Sequence, residues 1–346
     1  MRLNRKPSSR SRSGRLLLPF RLLFGSACLV AGLWGGIAAR AQQQPQVYGN
    51  QGDFRLSIET DLVVLHATVT NQGGRPVADL LQEHFRVYED KVEQQLKVFK
   101  REDVPVSVGI LVDNSGSMRD KRRGVNTAAM RFVRSSNPED EVFIVNFNDE
   151  SYLDTDFTDS VKLLEEALER IDSRGGTAFY DAVHLGLAHL KEKASWDKKV
   201  LLLITDGEDN ASRITLEQLV RTVERSDVMI YTVGLLGGES SRSMRRAKRA
   251  LENIAKATGG STYFPKGLEE VQVVANDIAN DIRNQYVLAY TPTNPVLDGK
   301  FRKVEAKLQA PRKYGRLTVR SRSGYYAESK SGQPEPPAAP ERSSGL

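Results

Sequence analysis

From Val104 to Asn284 the chain repeats one pattern: a short apolar run, then a longer segment whose apolar residues recur at helical spacing. Strand candidates are Val106–Val112, Val142–Phe147, Val200–Ile204, Val228–Val233 and Ser261–Phe264. Helices fit near 119–136, 160–171, 179–193, 215–226, 243–258 and 267–284. A strand that is apolar on both faces must be covered on both faces, and interleaved helices supply the cover. The pattern therefore predicts an α/β fold, doubly wound and Rossmann-like, around a mostly parallel sheet. Ligands of such sheets bind outside the carboxyl ends of the strands.

Polar residues stand where that rule places a ligand. Asp113-Asn114-Ser115-Gly116-Ser117 follows the first apolar run, Thr177 ends Gly175-Gly176-Thr177, and Asp206 follows Ile204-Thr205. Two carboxylates and three hydroxyls are hard oxygen donors suited to Mg²⁺, Mn²⁺ or Ca²⁺. Each piece alone has a plainer reading, since Asp and Ser also cap helices and Asp-Gly also makes turns. In combination and order they resemble the metal-ion-dependent adhesion site of von Willebrand factor type A domains. The resemblance implies that Ser115, Ser117 and Thr177 ligate a divalent ion directly, and that Asp113 and Asp206 act through water or from behind the ligands. It also implies a docking role: an ion held mainly by neutral hydroxyls keeps an open position for an Asp or Glu carboxylate of a partner protein. Mg²⁺ is the first expectation, with Mn²⁺ and Ca²⁺ as alternatives, and no small-molecule cofactor is implied.

Residues 1–41 differ from the rest. They hold eight Arg or Lys and no acidic residue, an apolar or small stretch from Leu22 to Ala39, and Ala39-Arg40-Ala41 just before a Gln-rich run. That order is a signal peptide's, and it predicts export to a bacterial periplasm or the exterior. An uncleaved membrane anchor is the alternative, because the apolar stretch is near the minimum spanning length. Without these residues Lys plus Arg falls from 50 to 42, against 44 Asp plus Glu. The net charge of +6 thus belongs to the leader, and the electrostatic case for nucleic-acid binding goes with it. The single cysteine, Cys28, lies in the same segment, so disulfides are excluded downstream.

Residues 42–53 read as a polar lead-in. On either side of the α/β region, 54–103 and 285–327 show strand alternation with Gly- and Asp-containing turns, as in Leu62–Thr70 and Phe301–Leu308. Each is too short to bury a core alone, which predicts that they pair as one small β-sandwich-like domain into which the 104–284 domain is inserted. The layout is similar to that of exported bacterial proteins with a von Willebrand factor A-like centre. The shared features are Tyr88-Glu89-Asp90, Val104-Pro105-Val106 and Gly324-Tyr325-Tyr326. Residues 328–346, with Pro, Ser and Glu, read as a disordered tail.

Other chemistry is sparse. His66, His84, His184 and His189 are scattered, and the five-residue spacing of the last pair misses the four expected of ligands on one helical face. Asp181, Glu208 and Asp209 flank the motif loops as caps or as groups that tune a metal. Arg242 to Arg249 reads as a solvated basic face that an acidic partner could use. The expectation is a non-enzymatic, exported protein-binding module. A metal-assisted hydrolase using the same site, or a structural envelope protein with a stabilising metal, are the alternatives.

Overall fold

A computed structural model describes residues 62–328 apart from 102, 170–172 and 237–240. The signal segment, the polar lead-in and the tail beyond 328 lie outside the described residues. The elements are β1 (Val63–Asn71), β2 (Phe85–Glu89), β3 (Val92–Gln94), β4 (Leu96–Lys100), β5 (Val106–Asp113), α1 (Arg122–Arg134), β6 (Glu141–Phe147), β7 (Ser151–Thr158), α2 (Val161–Glu169), α3 (Phe179–Lys193) and β8 (Lys198–Thr205). They continue with α4 (Leu216–Arg225), β9 (Met229–Gly234), α5 (Ser241–Thr258), β10 (Thr262–Tyr263), α6 (Leu268–Arg283), β11 (Tyr286–Tyr290), β12 (Phe301–Leu308), β13 (Leu317–Arg320) and β14 (Gly324–Tyr326).

Strand periodicity builds the central layer. Along β5, Val106, Val108, Ile110 and Val112 face one side with Val142, Ile144, Val200, Leu202 and Ile204, where α1, α2 and α6 cover them. Leu111 faces the other side with Phe143, Val145, Leu201 and Leu203, under α3, α4 and α5. The fold is α/β, with a six-stranded sheet ordered β10-β9-β8-β5-β6-β7. All its pairings are parallel except β6 with β7. After β5 the chain builds outward through β6 and β7, then returns to place β8 on β5's other side, so the order reverses at β5 and opens a crevice at its carboxyl end.

Two differences from the sequence reading have physical causes. β7 was not foreseen: Ser-Tyr-Leu-Asp-Thr-Asp-Phe-Thr is half polar, since the strand sits at the sheet edge, partly exposed and with register shifts against β6. The strand expected over Ser261–Phe264 is only the pair Thr262–Tyr263.

The flanking segments interleave in two further sheets. One is ordered β13-β1-β11-β4 and the other β14-β12-β2-β3. β1 pairs antiparallel with β11, Leu65 opposite Leu288, and β2 with β12, Val87 opposite Ala306. Leu65, Ala67, Val69, Phe85, Val87, Tyr286, Leu288, Tyr290 and Val304 form their common core. The tyrosine hydroxyls are satisfied: Tyr286 donates to the Val77 carbonyl at 2.9 Å, and Tyr290 and Tyr325 donate to Glu89 at 2.8 and 2.9 Å.

α6 leads into β11 across two residues and is fastened at that end. Arg320 of β13 pairs with Asp281, Tyr231 donates to the same carboxylate at 3.2 Å, and Arg283 bridges Asp103 and Asp140. His66, on β1, turns Nδ1 inward without a hydrogen-bond partner among the described residues. Burial, reinforced by the Lys198 and Arg322 charges and opposed by Asp227, lowers its pKa to about 4. The folded state therefore resists a proton that the unfolded chain accepts near 6.5. This contribution to stability is complete above pH 6.5 and is lost as pH falls toward about 4. Urea unfolding at pH 7.5 and pH 5 should show the decline, and His66→Gln should make it shallower. An unchanged pH slope in that variant would contradict the assignment.

Candidate metal centre

The cluster starts from a strand end. Asp113 is the last residue of β5 and Thr205 the last of β8, and the two strands run side by side, with Val112 opposite Ile204. Asp113 is fully buried, so both carboxylate oxygens need partners. The Thr205 hydroxyl donates to Oδ2 at 2.6 Å, and the Ser115 amide donates to Oδ1 at 2.7 Å. The second bond folds the chain back two residues on, an Asx-type turn that aims Ser115 and Ser117 across the crevice. Burial pushes the Asp113 carboxyl up to about 6, against the pull of those two hydrogen bonds.

The next layer is made of oxygens. Ser115 Oγ lies 3.1 Å from Ser117 Oγ, which donates to Asp206 Oδ1 at 2.8 Å. Adjacent ligands of an octahedral Mg²⁺ with bonds of 2.0–2.1 Å stand about 2.9 Å apart, so the Ser115–Ser117 separation suits an edge of such a shell, with Asp206 holding the Ser117 hydroxyl from behind. Among the described residues no three His, Cys, Asp or Glu side chains converge as a metal cage. Any ion held here would be held by the hydroxyl-rich set.

Thr177 comes to the same rim through backbone staples. Arg174 N donates to the Asn114 carbonyl at 2.9 Å, and Gly116 N to the Gly175 carbonyl at 3.2 Å. Thr177 N donates to Asn210 Oδ1 at 2.9 Å, and Asn210 N returns a bond to the Thr177 carbonyl at 3.0 Å. The loop needs its glycines. Gly175 has φ +75°, and a Cβ there would lie 2.0 Å from Asp149 Oδ2. Asp149 occupies that space because its Oδ1 accepts the Gly176 amide at 2.7 Å.

Three polar groups escaped the sequence reading: Lys121, Asp149 and Asn210. Lys121 is the most consequential, because its ammonium sits 2.5 Å from Asp206 Oδ2 and balances a carboxylate that is 2% exposed. Of the flanking acids, Asp181 accepts the Arg213 and Ile214 amides, and Asp209 the Tyr180 and Ser212 amides. Glu208 pairs with Arg246 and accepts the Ser243 hydroxyl. His189 lies elsewhere, packed on Phe143 and Phe157 and facing Asp156.

Residues 108–208 match the family model of the von Willebrand factor type A domain. The chain contains a von Willebrand factor type A domain. Among curated proteins it is similar to the mouse calcium-activated chloride channel regulator 1, with 29% identity over 168 residues, 45% of this chain and 17% of that protein. The rhesus macaque protein of the same name shares 37% over 90 residues, 26% of this chain and 8% of that protein. The chain thus spans less than a fifth of the length of these relatives. Similar solved structures include a von Willebrand factor type A protein from Catenulispora acidiphila, with 16% identity, TM-score 0.43, and 65% of this chain and 51% of that one covered. Another is proximal thread matrix protein 1 of the mussel byssus with a zinc-occupied MIDAS motif, with 17% identity, TM-score 0.45, and 56% and 50% covered.

Lys121→Met tests the electrostatics of the type A domain's rim. With chelator present, it leaves the Asp206 carboxylate without its counter-charge and should lower stability by roughly 1–3 kcal/mol. Thermal unfolding in EDTA measures this, and an unchanged midpoint would show that the pair contributes nothing.

Proposed function

We propose that this protein is an exported binding module whose type A domain holds a divalent ion and uses it to capture an Asp or Glu side chain of a partner protein. The observation that carries the reading is the spacing of Ser115 Oγ, Ser117 Oγ and Asp206 Oδ1 at the carboxyl ends of β5 and β8. Export rests on the basic, apolar, Ala-x-Ala order of residues 1–41. When bound, the ion supplies concentrated positive charge with an exchangeable position. Ser115, Ser117 and Thr177 would hold it with neutral oxygens. Asp113 would orient the Ser115 turn, and Asp206 would fix the Ser117 hydroxyl. Because few formal negative charges touch the ion, an incoming carboxylate gains a charge-assisted contact.

Binding is favoured over hydrolysis by the state of the neighbouring groups. A hydrolase needs a general base within hydrogen-bond reach of the attacking water. Glu208, Asp181 and Asp209 are engaged by Arg246 or by backbone amides.

Calorimetric titration with Mg²⁺, Mn²⁺ and Ca²⁺ tests the reading. About one equivalent should bind, with affinity falling at least about tenfold in Ser115→Ala while circular dichroism stays unchanged. Equal binding by the folded variant would overturn the assignment. Lys121→Met supplies a second, opposite sign: removing a resident cation should tighten Mg²⁺ binding several-fold, about 0.5–1 kcal/mol. Unchanged or weaker affinity would place the ion away from Asp206.

A further inference from the structure

α5 carries a feature that the metal rim does not account for. Arg242, Arg245, Arg246 and Arg249 stand at the i, i+3, i+4, i+7 spacing of a single helical face and line one shallow groove. Ala247, Ala250, Leu251 and Ile254 are buried on the opposite side, so the arginines face outward by construction. Like charges at these spacings repel and weaken a helix. The start of a helix is also where its dipole disfavours cations. Arg246 forms the two-pronged pair with Glu208, its Nη2 lying 2.8 Å from Oε2. Among the described residues Arg242, Arg245 and Arg249 form no ion pair. Lys248, by contrast, lies near Glu252 and over the Phe264 ring.

The stripe adjoins the rim of the proposed metal site. Glu208, the partner of Arg246, is two residues past Asp206, and its pKa is lowered chiefly by the Arg246 bond, with the Ser243 hydroxyl and the nearby Arg242 charge adding to it. Lys121 Nζ bonds both Asp206 and, at 3.5 Å, the carbonyl of Leu235, the residue that follows β9 on the way to α5. A segment that places one carboxylate in the crevice therefore has nearby three guanidinium groups that form no ion pair among the described residues.

We infer that Arg242, Arg245 and Arg249 form a second contact for the same partner, an acidic protein segment with further carboxylates beside the one at the metal. This rests on the reading of the metal site given above. Guanidinium forks match carboxylates in bidentate geometry. The charge balance of the chain speaks against a nucleic acid or an anionic membrane, because residues 42–346 carry 42 basic against 44 acidic residues. The stripe's positive charge is confined to one helical face. Its reach suits a short acidic segment.

The test uses the full chain and a fluorescein-labelled oligo-glutamate peptide in Mg²⁺. Arg242→Ser/Arg245→Ser/Arg249→Ser keeps the Arg246–Glu208 pair and changes exposed side chains only. Its affinity for the peptide should fall about tenfold while its Mg²⁺ titration is unchanged. The corresponding triple lysine variant should recover part of the loss, because charge is retained and the fork is not. Ser115→Ala should lose the Mg²⁺-dependent increment and keep the arginine-dependent, salt-sensitive part. Peptide affinity equal to native in the triple serine variant overturns the inference. Tighter, equally arginine-dependent binding of a single-stranded oligonucleotide of equal charge, or of phosphatidylglycerol vesicles, also overturns it. If Mg²⁺ adds nothing but the triple variant still loses tenfold, the stripe stands and the metal reading falls.

Discussion

The Asp113 carboxylate, buried between the ends of β5 and β8, is the interaction on which the rim depends. One oxygen is held by Thr205 from the neighbouring strand and the other by the amide of Ser115. An acid so buried is costly to ionise, as its raised pKa of about 6 records. The hydrogen bonds offset part of that cost and convert it into geometry. They fix where the Ser115–Ser117 turn leaves the sheet, and the turn is in turn tied to the Thr177 loop by the Arg174 amide on the Asn114 carbonyl and the Gly116 amide on the Gly175 carbonyl. Distant loops thus acquire one geometry from a single strand end.

The same sheet is tied to the flanking β layers. α6 covers the β5 face of the core through Val271, Ala275, Ile278 and Ile282, then runs into β11, an inner strand of the neighbouring sheet. Asp281, Arg283 and Lys198 fasten that junction from β13, from the 103 and 140 loops and from β8. Movement of α6 along its axis would have to break these contacts or carry β11 with it. The rim and the β layers are mechanically connected through the helix.

Much of this was legible in the sequence because the relevant physics is local. β5, β6 and β8 read clearly, since a strand buried on both faces is apolar at nearly every position. Asp113, Ser115 and Ser117 stood out because the turn that unites them spans only five residues. β7 did not, because an edge strand needs only one half-buried face and its polar residues mimic a loop. Lys121, Asp149 and Asn210 were missed for a different reason. Each acts on a residue 27 to 85 positions away, Gly176 for Asp149, Thr177 for Asn210 and Asp206 for Lys121. Such partners become visible only once the loops converge. Gly175-Gly176 was the one trace of that convergence, since a glycine pair beside a threonine signals a backbone that something else must approach closely.

The central claim is that two loops present three hydroxyl oxygens, organised by Asp113 and backed by Asp206 of a third loop, to a single divalent ion. A crystal grown with Mn²⁺ and examined by anomalous scattering tests it most directly. The account predicts one strong peak within about 2.0–2.3 Å of Ser115 Oγ, Ser117 Oγ and Thr177 Oγ1, with Asp113 still bonded to Thr205 and the Lys121 ammonium displaced from Asp206. A well-ordered rim with no peak at millimolar Mn²⁺, or a peak ligated elsewhere, would contradict it.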